Sequence, residues 1–492
     1  MKKWLLSKLL VLLGLSSFAQ IFQPENNSLL LNEPLAPSFP QVQLTPPAAG
    51  DVDPELAAVM QNMLDSLTDL FDANGLSAAM ITPSGDVWKG TSGPNSLALG
   101  DTLSVDMQLG MGSVTKTFTG AAIMQLTEEG ILSVDDTIGQ WLPPYPNVDP
   151  AISIRQLLNH TSGIYNFTNG SSFQFFLNSN LDSVITPEYV LENFVPTPSF
   201  PPGTSWGYSN TNYLLLGLII EAATGNDFAT EIRTRLLEPN GHSTMSLHPD
   251  EMPTGEIAHL WLDLNGDGIP DDFTAAGNSL NGLFSMAWAA GAMLTTPEDL
   301  AHWVKNLMTG QVVQQGTLDE MMEFVPLSGG FGYGLSLMRV ELGGTVWWGH
   351  NGSIGYLTNA LYSPELDVSM VLISNAGPFD ELDFVWLALV QTYLEYTLTD
   401  TDENIMTEND LLIYPNPVYD EFLIGFDLRK KSPIQITVTN QLGQVIHQMD
   451  FEMMGAGMNN VQITDCGNWP VGIYQVQLKG ADWLVSEKIV KK

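Results

Sequence analysis

Ser113 and Lys116 stand one helical turn apart in the stretch GMGSVTKTFTG, within a chain that carries very little lysine. Between Gln20 and Asn409 the only cationic residues are Lys89, Lys116, Arg155, Arg233, Arg235, Lys305 and Arg339. A serine hydroxyl is a poor nucleophile until a base removes its proton. Positions i and i+3 of a helix share a face, so Lys116 reaches Ser113 directly and, when neutral, can be that base. Burial and the positive end of a helix both lower the pKa of a lysine. The helix start also aims backbone N–H groups at the serine, which suits an oxyanion. Alone the pair says little, because a chain of this composition yields about one Ser-x-x-Lys by chance. A capping serine followed by a solvated lysine has the same spelling.

Three further stretches change that weight. LLNHTSGI surrounds His160, WGYSNTNY carries Tyr208 and Asn210 ahead of an apolar helix, and WWGHNGSIGY places His350, Asn351, Gly352 and Ser353 at the end of a predicted strand. Taken in order with Ser113-x-x-Lys116, they resemble the class C β-lactamase and D-Ala-D-Ala carboxypeptidase family of serine hydrolases, which also contains esterases and D-aminopeptidases. That family runs Ser-x-x-Lys, Leu-Leu-x-His-Thr-Ser-Gly, Tyr-x-Asn, then Lys-or-His-x-Gly. The resemblance covers roughly residues 53–398, and AAGAMLTTPEDLAHW looks like the family's later helix.

The resemblance implies a cofactor-free acyl-enzyme mechanism. Ser113 would attack a carbonyl. Lys116 and Tyr208 would shuttle the proton, with the phenol pKa lowered by the adjacent lysine. Asn210 would bond the acyl amide of a substrate, alongside Asn351 and Gly352, and the backbone N–H groups of Ser113 and Ser353 would hold the oxyanion. His350 replaces the lysine of the β-lactamase version and would donate toward Tyr208 or the leaving group, which points away from strong β-lactamase activity. His160 is read as a hydrogen-bonded tie within its loop. The implied substrate is a D-amino-acid peptide, as for D-Ala-D-Ala carboxypeptidases, or a related amide or ester. An esterase or weak β-lactamase is the alternative, and a non-catalytic penicillin-recognising or peptidoglycan-binding protein is the alternative of another class. A carboxypeptidase normally meets a terminal carboxylate with a cation, and no motif places Arg155, Arg233, Arg235, Lys305 or Arg339 at the site.

Ser205 offers a competing nucleophile, since Gly203-Thr204-Ser205-Trp206-Gly207 spells the Gly-x-Ser-x-Gly elbow. That elbow needs a strand before the serine and a helix directly after it. PTPSFPPG cannot be a central strand, so the match is read as chance. In DLNGDGIPDD, Asp263, Asn265, Asp267 and Asp271 occupy positions 1, 3, 5 and 9 of an EF-hand-type loop with Gly268 at the turn. Thr274 stands where the bidentate glutamate belongs, so the expectation is at most a structural calcium. His259 has no partner at zinc-ligand spacing.

The elements that must position these residues read as α+β. LSAAMITPSGDVWKG is an early hairpin, helices follow over ITPEYVLENF, NTNYLLLGLIIEAATG and TPEDLAHWVKNLMTG, and GGTVWWGHNG, LTNALYSP and VSMVLISNAG are late strands. An antiparallel sheet covered by helices is the economical architecture. The boundaries are a signal peptide over 1–19, a Pro-rich linker over 20–52, the hydrolase domain over 53–398, a polar linker over 399–410 and a small all-β sandwich over 411–492. In the last, YPNPVYDEFLIGF, PVGIYQVQL and the terminal KIVKK resemble the C-terminal sorting domain of type IX secretion substrates. That implies the type IX secretion machinery as a partner and export to the cell surface or medium through the periplasm. A net charge of −38 disfavours nucleic acid and anionic lipid, and no apolar run after the signal is long enough for stable membrane insertion. The same charge works against both bases, because it favours a protonated Lys116 and disfavours a tyrosinate. Cys466 is the only cysteine, so the chain forms no internal disulfide.

Overall fold

The computed structural model describes residues 27–28, 50–263, 269–342, 344–377, 379–401, 411–428, 431–440, 444–455, 457–464, 466–480 and 484–492. The signal segment, nearly all of the Pro-rich stretch and residues 402–410 lie outside them. Two compact units divide between Thr392 and Tyr393. The break falls inside the helix Leu382–Thr401.

The elements that shape the large unit are α1 (Pro54–Phe71), β1 (Leu76–Ile81), β2 (Val87–Ser92), α2 (Thr115–Glu128), α3 (Asn210–Thr224), α4 (Pro297–Met308), β3 (Val325–Pro326), β4 (Gly332–Tyr333), β5 (Met338–Leu342), β6 (Thr345–Ile354), β7 (Tyr356–Ser363), β8 (Val368–Ser374) and α5 (Leu382–Thr401). Asp53 caps α1 by accepting from the Glu55 amide, and Thr296 caps α4 by accepting from the Asp299 amide, with proline opening both helices. The sheet is antiparallel throughout, in the order β3-β4-β5-β6-β7-β8-β1-β2. Its middle strands are buried on both faces: the Ser369 hydroxyl donates to Ala301 O of α4, whereas Trp386 of α5 donates from its indole to Met370 O. Strands sandwiched between helices read as continuous apolar runs, as VSMVLIS does.

Pairing on β6 changes part-way along its length. β5 covers only Thr345 to Gly349, while β7 pairs with Trp348 through Ile354. From His350 onward β6 therefore presents an edge to whatever stands beside it, and there the chain places the turn Gly112–Val114. α2 and α3 are buried on nearly every side, which is why neither shows a clean amphipathic pattern.

In the small unit, β9 (Leu411–Tyr414), β10 (Phe422–Leu428), β11 (Ser432–Asn440), β12 (Val445–Met454), β13 (Gly457–Ile463), β14 (Gly472–Lys479) and β15 (Leu484–Lys491) form two sheets, β9-β10-β13 and β12-β11-β14-β15. Alternate residues such as Ile424, Phe426, Ile436, Val438, Val476 and Leu478 fill the space between them, and Cys466 is buried in that core.

Candidate active site

The turn at Gly112–Val114 is pinned on the side it enters from. Leu109–Gly110 pairs with Leu294 and Thr295, and the Met111 amide donates to Met293 O at 3.0 Å. Gly112 takes φ +53, a conformation that costs other residues strain, and it turns the chain so that Ser113 precedes the first full turn of α2. The same approach forbids side chains on both walls. A Cβ on Gly112 would lie 2.5 Å from Ser353 N, and one on Gly352 would lie 2.0 Å from Met111 O and 3.1 Å from Ser113 N. Two glycines thus let the backbone at Ser113 and the backbone at Ser353 approach closely, as an oxyanion site between their N–H groups would need.

Lys116 is fully buried, and its Nζ lies 3.1 Å from Ser113 Oγ, 2.8 Å from Asn210 Oδ1 and 2.8 Å from Ala290 O. Burial holds its pKa well below the usual lysine range. A neutral amine has two hydrogens and one lone pair. Ala290 O can only accept, and Asn210 presents its oxygen because its Nδ2 donates to Thr168 Oγ1 at 3.2 Å. The two hydrogens are spent on these acceptors, so the lone pair is left for the Ser113 hydroxyl. Ala290 is delivered by a turn that starts at Trp288, a non-glycine residue with φ +38. The acidic surface works against a neutral Lys116 at long range, and desolvation acts on it locally in the opposite direction.

Tyr208 shares a hydrogen bond with Ser113, and its ring centroid lies 4.9 Å from Lys116 Nζ. The expectation of a lowered phenol pKa is corrected: burial raises it. Lysine depresses a neighbouring phenol only while it carries charge, and the burial that raises the phenol also disfavours the charged form of Lys116.

His350 is also corrected. Its Nδ1 donates to Asn351 O, which leaves Nε2 to accept from the Tyr333 hydroxyl at 2.9 Å. Both ring nitrogens are engaged, and neither donates toward Tyr208 or a leaving group. Burial and the neighbouring Lys116 bring its pKa down to about 3, so the ring is neutral. Asn351 pairs in register with Asn359 of β7, and its backbone oxygen is the acceptor for the His350 ring.

Buried neutral histidines have a consequence for stability. The unfolded chain takes up protons near pH 6.5, but folded His350 does so only at about 3 and His242 only at about 4. Where the unfolded state binds more protons, stability falls as pH falls. Lowering pH from 6.5 to 5 should therefore cost roughly 1.6 kcal/mol per histidine. Urea titrations at the two pH values check this, and His242→Gln should lose less stability between them than the parent chain.

The other candidates separate. Ser205 lies in the two-residue strand Ser205–Trp206 paired with Asn27–Ser28, after the turn at Pro201 to Thr204, with no helix directly behind it. Asp271 lies in a short strand opposite Leu262. Asn265 and Asp267 fall outside the described residues, and Asp272 is committed to His259, Ser96 and the Ala275 amide. No cluster of three metal-ligating side chains occurs among the described residues.

The cations are committed elsewhere. Lys89 pairs with Glu298, Arg155 with Asp135 and Glu320, Arg233 with Glu251, Arg235 with Glu129 and Glu231, and Lys305 with Asp367. Arg339 donates to Gly330 O and lies over the Phe324 ring.

A family profile described as Beta-lactamase matches residues 65–393. The chain belongs to the β-lactamase family. A D-stereospecific amidohydrolase from Streptomyces sp. has this fold at a TM-score of 0.59 and 30% identity, over 70% of this chain and 99% of that one. A D-amino acid amidase from Ochrobactrum anthropi SV3 gives 0.60 and 25%, over 71% of this chain and 100% of that one. A penicillin-binding protein of Bacillus subtilis (strain 168) is 24% identical over 348 residues, 67% of this chain and 74% of its own. Residues 412–492 match a secretion system C-terminal sorting domain, which implies export to the cell surface or beyond. No described helix is long and apolar enough to cross a membrane.

Within the β-lactamase family domain, sequence reasoning passed over Tyr333, Ala290 and Thr168. Ala290 acts through its carbonyl and Thr168 through a lone hydroxyl, neither of which leaves a mark in residue type. Tyr333, in Gly332-Tyr333-Gly334, had a mark of its own: a tyrosine between glycines on a short strand two strands ahead of the one that bears His350.

Proposed function

We propose that the large unit hydrolyses amides or esters through an acyl-enzyme on Ser113, and that the leaving group carries no carboxylate. The observation that supports the chemistry is the fully buried Lys116 amine, 3.1 Å from Ser113 Oγ and flanked by two acceptors, Asn210 Oδ1 and Ala290 O, that in the neutral amine would take both hydrogens and leave the lone pair for the serine. As the Ser113 Oγ–carbon bond forms, the hydroxyl proton passes to Lys116, and the substrate oxygen takes its negative charge beside the Ser113 and Ser353 amides. On collapse the carbon–nitrogen or carbon–oxygen bond breaks. Tyr208 gives its phenol hydrogen to the departing group and regains one from Lys116, so it serves as a relay that never needs to become a free phenolate. Water then attacks the acyl-enzyme by the same route in reverse. Asn210 orients Lys116 and exchanges Thr168 for the acyl amide of a substrate.

The substrate class rests on charge. Each cation between Gln20 and Asn409 other than Lys116 is held by other groups, and His350 is neutral, so nothing charged is set to meet a terminal carboxylate. The strongly acidic chain would repel such a substrate further. Two of the relatives above are named for amide hydrolysis. A D-amino acid amide is thus preferred over a D-Ala-D-Ala peptide. D-alaninamide and D-Ala-D-Ala, compared at equal concentration, should differ at least tenfold in kcat/KM in favour of the amide, the size of one lost charge-assisted contact. The second reading, a carboxypeptidase, draws on the penicillin-binding relative and requires the opposite order. The match of residues 412–492 to a secretion system sorting domain supports export of either activity.

A further inference from the structure

We infer that His160 is the positioning residue for Tyr208, gripping the backbone on both sides of the tyrosine so that its phenol stays on Ser113. This rests on the acyl-enzyme reading above. The amide ahead of the tyrosine, Gly207 N–H, donates to His160 O at 3.0 Å. The amide after it, Ser209 N–H, donates to His160 Nδ1 at 3.2 Å. One residue therefore holds the amides of both residues that flank Tyr208, with its carbonyl on Gly207 and its ring on Ser209. The ring also packs against the phenol, with centroids 4.3 Å apart, and against Tyr333 at 4.7 Å. His160 takes φ +62, a left-handed conformation that His and Asn accept more readily than most residues.

The grip depends on one tautomer, and the structure sets it. Asn212 Nδ2 also donates to His160 Nδ1, at 3.2 Å. Asn212 cannot be turned round, because its Oδ1 accepts from the Ser162 hydroxyl at 2.8 Å and its Nδ2 reaches Leu157 O at 3.1 Å. With two N–H donors directed at it, Nδ1 carries the lone pair and the ring proton resides on Nε2. His160 is fully buried, in keeping with a neutral ring. A histidine that merely ties its own loop would need bonds only within residues 157–164. This one spends its carbonyl and its acceptor nitrogen on the segment that bears the tyrosine.

His160→Phe keeps an aromatic ring without the acceptor, whereas His160→Asn restores an acceptor close to the Nδ1 position and tolerates the positive φ. A displacement near 1 Å at a reacting group can cost about 10²-fold. His160→Phe should lose about that much kcat with KM within roughly threefold, and His160→Asn should recover at least tenfold of the loss. Thermal midpoints and end-point fluorophosphonate labelling accompany both, so that folded, labelling-competent protein is compared. Turnover by His160→Phe within threefold of the parent would overturn the proposal. So would a folded His160→Asn as slow as His160→Phe. Should His160→Phe fail to fold, His160→Asn decides alone: activity within tenfold of the parent supports the grip, and a folded, inactive protein refutes it. A parent chain that takes no label at Ser113 would instead remove the acyl-enzyme reading itself.

Discussion

A Ser113→Ala chain is expected to take up no fluorophosphonate and to lose at least about 10⁴-fold of its turnover, while Ser205→Ala labels and turns over like the parent. Removing a serine nucleophile leaves only the contributions of oxyanion stabilisation and binding, so losses of about 10⁴ to 10⁶ are usual. The contrast is sharp because the two serines differ in surroundings rather than in type. Ser113 Oγ has an amine lone pair at 3.1 Å and a phenol bonded to it, at the start of a buried helix. Ser205 sits in a two-residue strand behind a proline turn. Intact-protein mass spectrometry reads the adduct directly. An adduct that survives Ser113→Ala and disappears with Ser205→Ala would reverse the assignment.

Gly352→Ala should lower kcat by about 10²- to 10³-fold, the cost of a misplaced oxyanion donor. The added methyl would lie 2.0 Å from Met111 O, a backbone atom held in place by the strand that leads to the nucleophile. Neither wall can yield cheaply, so β6 and the Gly112 turn must part, and the Ser113 and Ser353 amides part with them. The thermal midpoint should fall as well, as in other overpacked sites. Gly316→Ala is the control, because nothing lies within 4 Å of its Cβ position, and it should leave kcat unchanged. A Gly352→Ala enzyme within threefold of the parent would separate the close approach of the two walls from the chemistry.

Local chemistry was readable in the chain. Thr296 followed by Pro297 marked the start of the helix over TPEDLAHWVKNLMTG, and Pro83-Ser84-Gly85 within LSAAMITPSGDVWKG marked the hairpin between β1 and β2, because caps and turns are decided by a few adjacent residues. Alternation in VQLKG and QITVTN marked the small sandwich for the same reason. The order of Ser113, Lys116, His160, Tyr208 and His350 along the chain was enough to point to the family and to its antiparallel sheet with flanking helices. Helix Leu382–Thr401 was legible as a helix, but the break in packing inside it was not, since periodicity carries no record of where packing ends.

Protonation and direction belonged to the tertiary structure. The Lys116 pKa is pushed down by burial, the Tyr208 phenol is raised rather than lowered, and His350 turns to Tyr333 and Asn351, because desolvation and hydrogen-bond partners come from segments far apart in the chain. The commitment of each arginine to a carboxylate or carbonyl was equally invisible in one dimension, and it decides which substrates meet a cation. The sequence alone determined which residue types stand where along the backbone, and therefore the fold and the inventory of reactive groups. Only the folded chain decided which of those groups are dry, which are paired and which face one another, because burial and contact are properties of three-dimensional neighbourhood, and those set the charge on every acid and base at the site.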